Sequence, residues 1–167
     1  MSDRPRRDPP AFSLVELVMV LAIICVLAGI AIPRYGRAAA GYRARSAAQR
    51  IAADIAMCQS TARSTSSSQN VVITPSSNSY VVSGQRGMDS SSSTYRVTLS
   101  AEPYRSTVVL VSLNNGGTTS VVFGSNSGTI TFDGFGVPDR GATISVQAGA
   151  IVSRVTVDPN TGRATVK

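Results

Sequence analysis

The apolar run from residue 12 to residue 33 constrains this chain of 167 residues more than any other feature. Glu16 is the single charged residue in it. At 1.5 Å per residue, a helix of that length spans roughly 33 Å, which is enough to cross a bilayer core of about 30 Å. The run exceeds the 7–15 apolar residues of a secretory signal peptide. It therefore predicts a membrane-spanning helix, with a cleaved signal and a plain single-span anchor as the alternatives.

Glu16 indicates what this helix is for. A carboxylate in hydrocarbon costs several kcal/mol unless it is paired, and no Lys or Arg lies within a helical turn of Glu16. A cut between Ala11 and Phe12 would expose an α-amine four residues before the carboxylate. An amine on a neighbouring copy, or on a related subunit, could then neutralise it. The pattern favours an assembled helix bundle over an isolated anchor.

Beyond Pro33 the chain keeps a helical pattern. Small and apolar residues recur at spacings of four and three, which places on one stripe Ala44, Ala48, Ile51, Ile55, Cys58 and Ala62. The polar residues expected elsewhere around the helix are Arg43, Gln49, Arg50 and Asp54. We expect one helix from about residue 12 to residue 63, with a kink at Pro33.

The remainder of the chain is rich in Ser, Thr, Val and Gly and predicts strands. A serine run at residues 64–68 ends the helix pattern, and turn signals occur at residues 114–117 and 158–162. The predicted strands are 71–74, 80–83, 95–99, 108–113, 121–123, 129–132, 143–146, 152–157 and 164–166, with an exposed loop at 84–93. We expect an α+β fold, in which a long N-terminal helix packs on a C-terminal antiparallel domain of two sheets.

The composition argues against an enzyme. Histidine is absent, which removes the commonest general base and most zinc sites. Carboxylates in the β region are scattered, and those near residue 158 are too few for a confident calcium site. Cys25 and Cys58 would lie about 50 Å apart on one helix, whereas a disulfide needs α-carbons within about 7 Å. We expect no catalytic residues, no metal and no cofactor.

The N-terminal residues resemble a known processing signal. Residues 11–21, AFSLVELVMVL, are similar to the signal of type IV prepilins and type II secretion pseudopilins. The resemblance implies that residues 1–11 form a leader, that a prepilin peptidase cuts between Ala11 and Phe12, and that Phe12 is N-methylated. It makes Glu16 the acid at the fifth mature position, which guides assembly, and it places Pro33 where such helices commonly have proline. Ala11 stands where the family usually has Gly.

The C-terminal half resembles the GspH/FimT family of minor pseudopilins. The similarity rests on Ala62-Arg63, on residues 128–136 and 139–141, and on residues 155–163. It implies residues 12–33 as membrane and filament-core helix, 34–63 as amphipathic helix and 64–167 as a periplasmic head. The expected function is assembly into a type II secretion pseudopilus or a type IV pilus-like filament from the bacterial inner membrane. The implied partners are other pseudopilins or pilins, the assembly platform, the peptidase and secreted cargo.

Two alternatives stay open. The formal charge of +7 leans towards anionic partners. FimT-like minor pilins bind DNA through basic residues near a C-terminal Gly-Arg motif, which makes Arg140, Arg163 and Lys167 possible DNA contacts here. The other alternative is a single-span periplasmic protein that never assembles, for which Glu16 would be dispensable.

Overall fold

The computed structural model describes residues 12–85, 94–115, 118–122 and 126–167, without the side chains of residues 30–33, 115 and 118–122. The predicted leader, with Ala11, and most of the predicted loop at 84–93 lie outside the described residues. The chain divides into two compact units, of which the first reaches Gly36 and the second is Arg37–Lys167.

A single helix, α1, is assigned over Leu14–Thr65, close to the predicted 12–63. It begins two residues late because Ser13 serves as its cap. It ends two residues late because the hydroxyls of Ser64 and Thr65 both donate to the carbonyl of Thr61, at 3.1 and 2.8 Å. Pro33 falls within α1, but its side chain is outside the described part, so the kink stays a prediction.

Nine strands follow the helix in the described residues. They are β1 Gln69–Thr74, β2 Ser79–Val82, β3 Tyr95–Thr98, β4 Thr107–Asn115, β5 Thr118–Val122, β6 Gly128–Phe132, β7 Gly141–Ala148, β8 Ile151–Val157 and β9 Ala164–Val166. A four-stranded sheet has the order β3-β2-β1-β6, and a five-stranded sheet has the order β5-β4-β7-β8-β9. Neighbouring strands are antiparallel in both sheets. The predicted two-sheet domain is confirmed.

The core of the second unit lies between the lower part of α1 and the two sheets. Every residue of the predicted helical stripe, from Ala44 to Ala62, is buried. Alternate strand residues complete the same cluster, among them Val71 and Ile73 on β1 and Ile144 and Val146 on β7. A period of 3.6 on the helix and of two on the strands therefore selects one common core. The result is the expected α+β, pilin-like arrangement.

Candidate functional site

The first described turn places Ser13 and Glu16 together. The Ser13 Oγ accepts a hydrogen bond from the backbone N–H of Glu16 at 3.2 Å, as an N-cap does. A Ser followed three residues later by Glu is the capping-box pattern, and a carboxylate in the first turn also interacts favourably with the helix dipole. The sequence analysis missed this second role of Glu16, although the spacing was visible in the sequence.

The first unit exposes its apolar side chains. Phe12 is 80% exposed, and most of the large apolar residues that follow are more than half exposed. Among the described residues, one helix is long and apolar enough to span a membrane, with a mean hydropathy of 2.9 over its best window. In the part of the chain described, Glu16 forms no ion pair. The carboxylate therefore has no acid-neutralising partner within this unit.

In the second unit, the carboxylate of Asp54 lies at the centre of a polar cluster between α1 and the four-stranded sheet. Its Oδ2 accepts from Arg50 Nε at 3.1 Å, from the Tyr80 hydroxyl at 2.5 Å and from the Tyr95 hydroxyl at 3.1 Å. Arg50 also donates to the Tyr95 hydroxyl. We call these four residues the Asp54 cluster. It joins α1 to β2 and β3.

The position of Asp54 corrects the sequence analysis. Helical spacing placed Asp54 away from the apolar stripe, yet the residue is only 5% exposed. It flanks the stripe, where the two tyrosine hydroxyls reach it, so its burial is satisfied by hydrogen bonds rather than avoided. Sequence periodicity cannot show these partners because they come from strands 26 and 41 residues away.

The protonation of the cluster follows from burial and from its contacts. Burial raises the pKa of Tyr80, and the hydrogen bond to the Asp54 carboxylate raises it further. Burial alone would lower the pKa of Arg50, but the hydrogen bond from Arg50 to Tyr95 and the charge of Asp54 outweigh it and raise that pKa. At neutral pH the tyrosines are donors and the arginine is a cation, which matches the observed hydrogen bonds.

The end of α1 holds two turns of the β domain. Gln59 Nε2 lies 2.7 Å from the carbonyl oxygens of both Gly136 and Thr161. Arg63 Nε donates to the carbonyl of Phe135 at 3.1 Å. Gly162 has a φ of +70°, and a Cβ there would lie 2.5 Å from the Gln59 amide nitrogen. Glycine is therefore required where this turn meets the helix.

Asp133 and Asp158 stabilise these turns. Asp133 Oδ1 accepts the backbone N–H groups of Phe135 and Val137, at 2.9 and 2.8 Å. Asp158 Oδ1 accepts those of Asn160 and Thr161. The backbone hydrogen bonds from Thr161 and Asn160 lower the pKa of Asp158. Both carboxylates thus satisfy backbone donors.

Basic side chains gather on one face of β8 and β9. The backbones of Arg154 and Lys167 exchange two hydrogen bonds, at 2.9 and 2.8 Å, so their side chains leave the same face of the sheet. Thr156 lies opposite Thr165 in the next pair on that face. The following pair joins Asp158 to Arg163, the residue beside a cleft of about 430 Å³. We call Arg154, Lys167 and Arg163 the β8–β9 basic face.

The possible DNA contacts are thus divided. Lys167 and Arg163 belong to the β8–β9 basic face, and the sequence analysis did not single out Arg154, the third member. Arg140 precedes β7, and its Nε lies 2.7 Å from Asp139 Oδ2, so its charge is paired. Arg154 could have been found from the strand register, since it is an exposed alternate residue of a predicted strand.

Metal and thiol chemistry find no site in the described residues. No group of three or more His, Cys, Asp or Glu residues in the described ranges is placed to hold a metal ion. Both cysteines are free, and burial raises the pKa of Cys58 to about 11. Cys58 is therefore a protonated core residue at neutral pH.

Comparison with known proteins decides the family. Residues 47–162, from the lower part of α1 to the β8–β9 turn, match the family model of type II transport protein GspH. The chain belongs to the GspH family. The matched GspH region contains the Asp54 cluster and both turns held by Gln59, and it ends before the last strand. No curated protein and no solved structure gives a significant match.

Membership in the GspH family indicates a type II secretion pseudopilin, a structural rather than catalytic class of protein. It implies association with other pseudopilins. The long apolar N-terminal helix is consistent with a single-pass inner-membrane protein of this class.

The Asp54 cluster predicts the stability of this GspH-type head. Changing Asp54→Asn removes the charge that three donors share, and we expect the free energy of unfolding to fall by roughly 2–3 kcal/mol. Denaturant unfolding of the full chain in detergent, followed by circular dichroism, measures the change.

Glu102→Gln is the matched control. It removes an exposed carboxylate that pairs with Arg105 at 2.6 Å, and the expected loss is below about 1 kcal/mol. Equal losses in the two variants would show that the Asp54 cluster contributes no more than a surface ion pair.

Proposed function

We propose that this chain is a minor pseudopilin, cut between Ala11 and Phe12, N-methylated at Phe12 and assembled into a filament anchored in the inner membrane. The filament is a type II secretion pseudopilus or a related type IV pilus-like structure. The β domain faces the periplasm, where it contacts sister subunits or secreted cargo. A prepilin peptidase and an inner-membrane assembly platform are the other partners.

One combination of features carries the proposal. A GspH-family head over residues 47–162 follows, in the same chain, an apolar helix with a single carboxylate in its first turn. The apolar side chains of the first unit are exposed and suited to lipid or to neighbouring helices. In the proposed filament, the Glu16 carboxylate pairs with the α-amine of Phe12 on a neighbouring subunit.

Glu16 has two candidate roles that must be separated. Within one chain it favours the start of α1 through the capping box and the helix dipole. Between chains its charge neutralises an amine. Glutamine serves the first role, because it can occupy the third position of a capping box, but it cannot serve the second.

We therefore expect Glu16→Gln to abolish incorporation into filaments while the monomer remains inserted in the membrane. Shear release of filaments, followed by immunoblotting of filament and membrane fractions, measures both populations. Ser13→Ala is the matched control, since it removes the cap at a cost of about 1 kcal/mol and keeps the carboxylate. Ser13→Ala should retain incorporation.

The opposite pattern, with Glu16→Gln incorporated as well as wild type, would contradict the pairing of Glu16 with an amine. If wild type itself stays wholly in the membrane fraction of a secretion-competent host, the non-assembling single-span protein replaces the pseudopilin.

The β8–β9 basic face supports DNA binding as a second candidate function. Arg154 and Lys167 lie opposite each other, and Arg163 follows four residues before Lys167 on the same face. These three side chains form no ion pair within the described residues. A row of unpaired cations with hydroxyls between them is suited to phosphate oxygens, which supply most of the sequence-independent affinity for DNA.

The test is duplex DNA affinity against salt concentration. We expect Arg154→Gln with Lys167→Gln to weaken binding uniformly across sequences and to reduce the magnitude of the salt slope by about 1.8, since two phosphate contacts are lost. Fluorescence anisotropy of the full chain in neutral detergent gives both quantities.

Arg96→Gln with Arg105→Gln is the matched control, because it removes the same charge from another part of the head. DNA affinity that falls equally in both double variants would reduce the effect to net charge. No measurable salt-dependent affinity in wild type would remove this function.

A further inference from the structure

A second group of cations lies at the start of the second unit, on α1. Arg37 and Arg45 are exposed, and Arg43 is half-buried. Tyr42 lies among them and is 77% exposed. We call these four residues the juxtamembrane Arg–Tyr segment, since Arg37 comes four residues after Pro33 in the sequence.

This segment has no negative charge to balance it in its own part of the chain. The sequence contains no Asp or Glu between Glu16 and Asp54. The ion pairs of the described residues use Arg50, Arg105 and Arg140, and none uses an arginine of the segment. Copies assembled side by side would bring these charges together and raise their repulsion.

We propose that the juxtamembrane Arg–Tyr segment binds the phosphate groups of anionic phospholipids in the leaflet next to the head. The inference rests on the proposed membrane anchoring. The guanidinium fork matches two phosphate oxygens, and tyrosine prefers the boundary between headgroup and hydrocarbon. Exposed Arg and Tyr directly after an apolar span supply both preferences.

The proposal also explains an unusual charge distribution. Positive residues next to a membrane span usually lie on the cytoplasmic side and set its orientation. In the proposed orientation, these arginines lie on the opposite side. Phosphate binding gives them a role independent of orientation, since anionic headgroups attract arginines within about a Debye length.

The test measures lipid retained by the full chain. Protein in neutral detergent is mixed with equal amounts of phosphatidylglycerol and phosphatidylcholine of the same acyl chains, separated by gel filtration, and its lipid is quantified by mass spectrometry. Wild type should retain mainly phosphatidylglycerol. Arg37→Gln with Arg45→Gln should lower its affinity about tenfold or more.

Arg96→Gln with Arg105→Gln is again the matched control and should retain phosphatidylglycerol as wild type does. Inorganic phosphate added at millimolar concentration should not displace the lipid, because the tyrosine contact needs the acyl boundary. Circular dichroism checks that both double variants keep the fold.

Three results would overturn the proposal: equal retention of the two lipids by wild type, equal loss in the two double variants, or complete displacement by inorganic phosphate. Loss of filament incorporation in Arg37→Gln with Arg45→Gln at unchanged lipid retention would also overturn it, and would assign the arginines to protein carboxylates. Cleavage before Phe12 is measured separately, so failure here leaves the pseudopilin proposal standing.

Discussion

The second unit depends on how one carboxylate is buried. Asp54 Oδ2 takes donors from Arg50, Tyr80 and Tyr95, which belong to the helix and to two strands of one sheet. An apolar helix face alone would pack against a sheet in several rotations, since hydrophobic burial is non-directional. A buried carboxylate with three directed partners is satisfied in one of them. We infer that the Asp54 cluster sets the position of the helix on the β domain.

The rest of the head follows from that position. With the lower helix in place, Gln59 meets the carbonyls of Gly136 and Thr161, and Arg63 meets that of Phe135. The two turns are further stabilised by Asp133 and Asp158. The head is thus held by polar contacts at one end of the helix and in its middle, with the apolar stripe between them. The membrane-spanning residues are free to serve a different purpose.

Much of this architecture could be predicted from the sequence because it depends on local periodicity. The stripe ending at Ala62 and the alternation on β1 and β7 both report burial directly. The contacts of Asp54 and Gln59 could not be predicted, since they join residues 26 to 102 positions apart. Arg154 was missed as a site residue for the same reason: its partner Lys167 comes from another strand. The capping role of Ser13 is different, because its spacing to Glu16 is local and was readable.

The most direct test of the account is the mass of the N-terminal peptide of membrane-extracted protein. The account predicts a chain that begins at Phe12 and carries one added methyl group. That result would establish processing by a prepilin peptidase, on which filament assembly depends. A chain that begins at Met1 or Ser2, or one cut near residues 28–33, would contradict it, the first by leaving an unprocessed anchor and the second by releasing the β domain from the membrane.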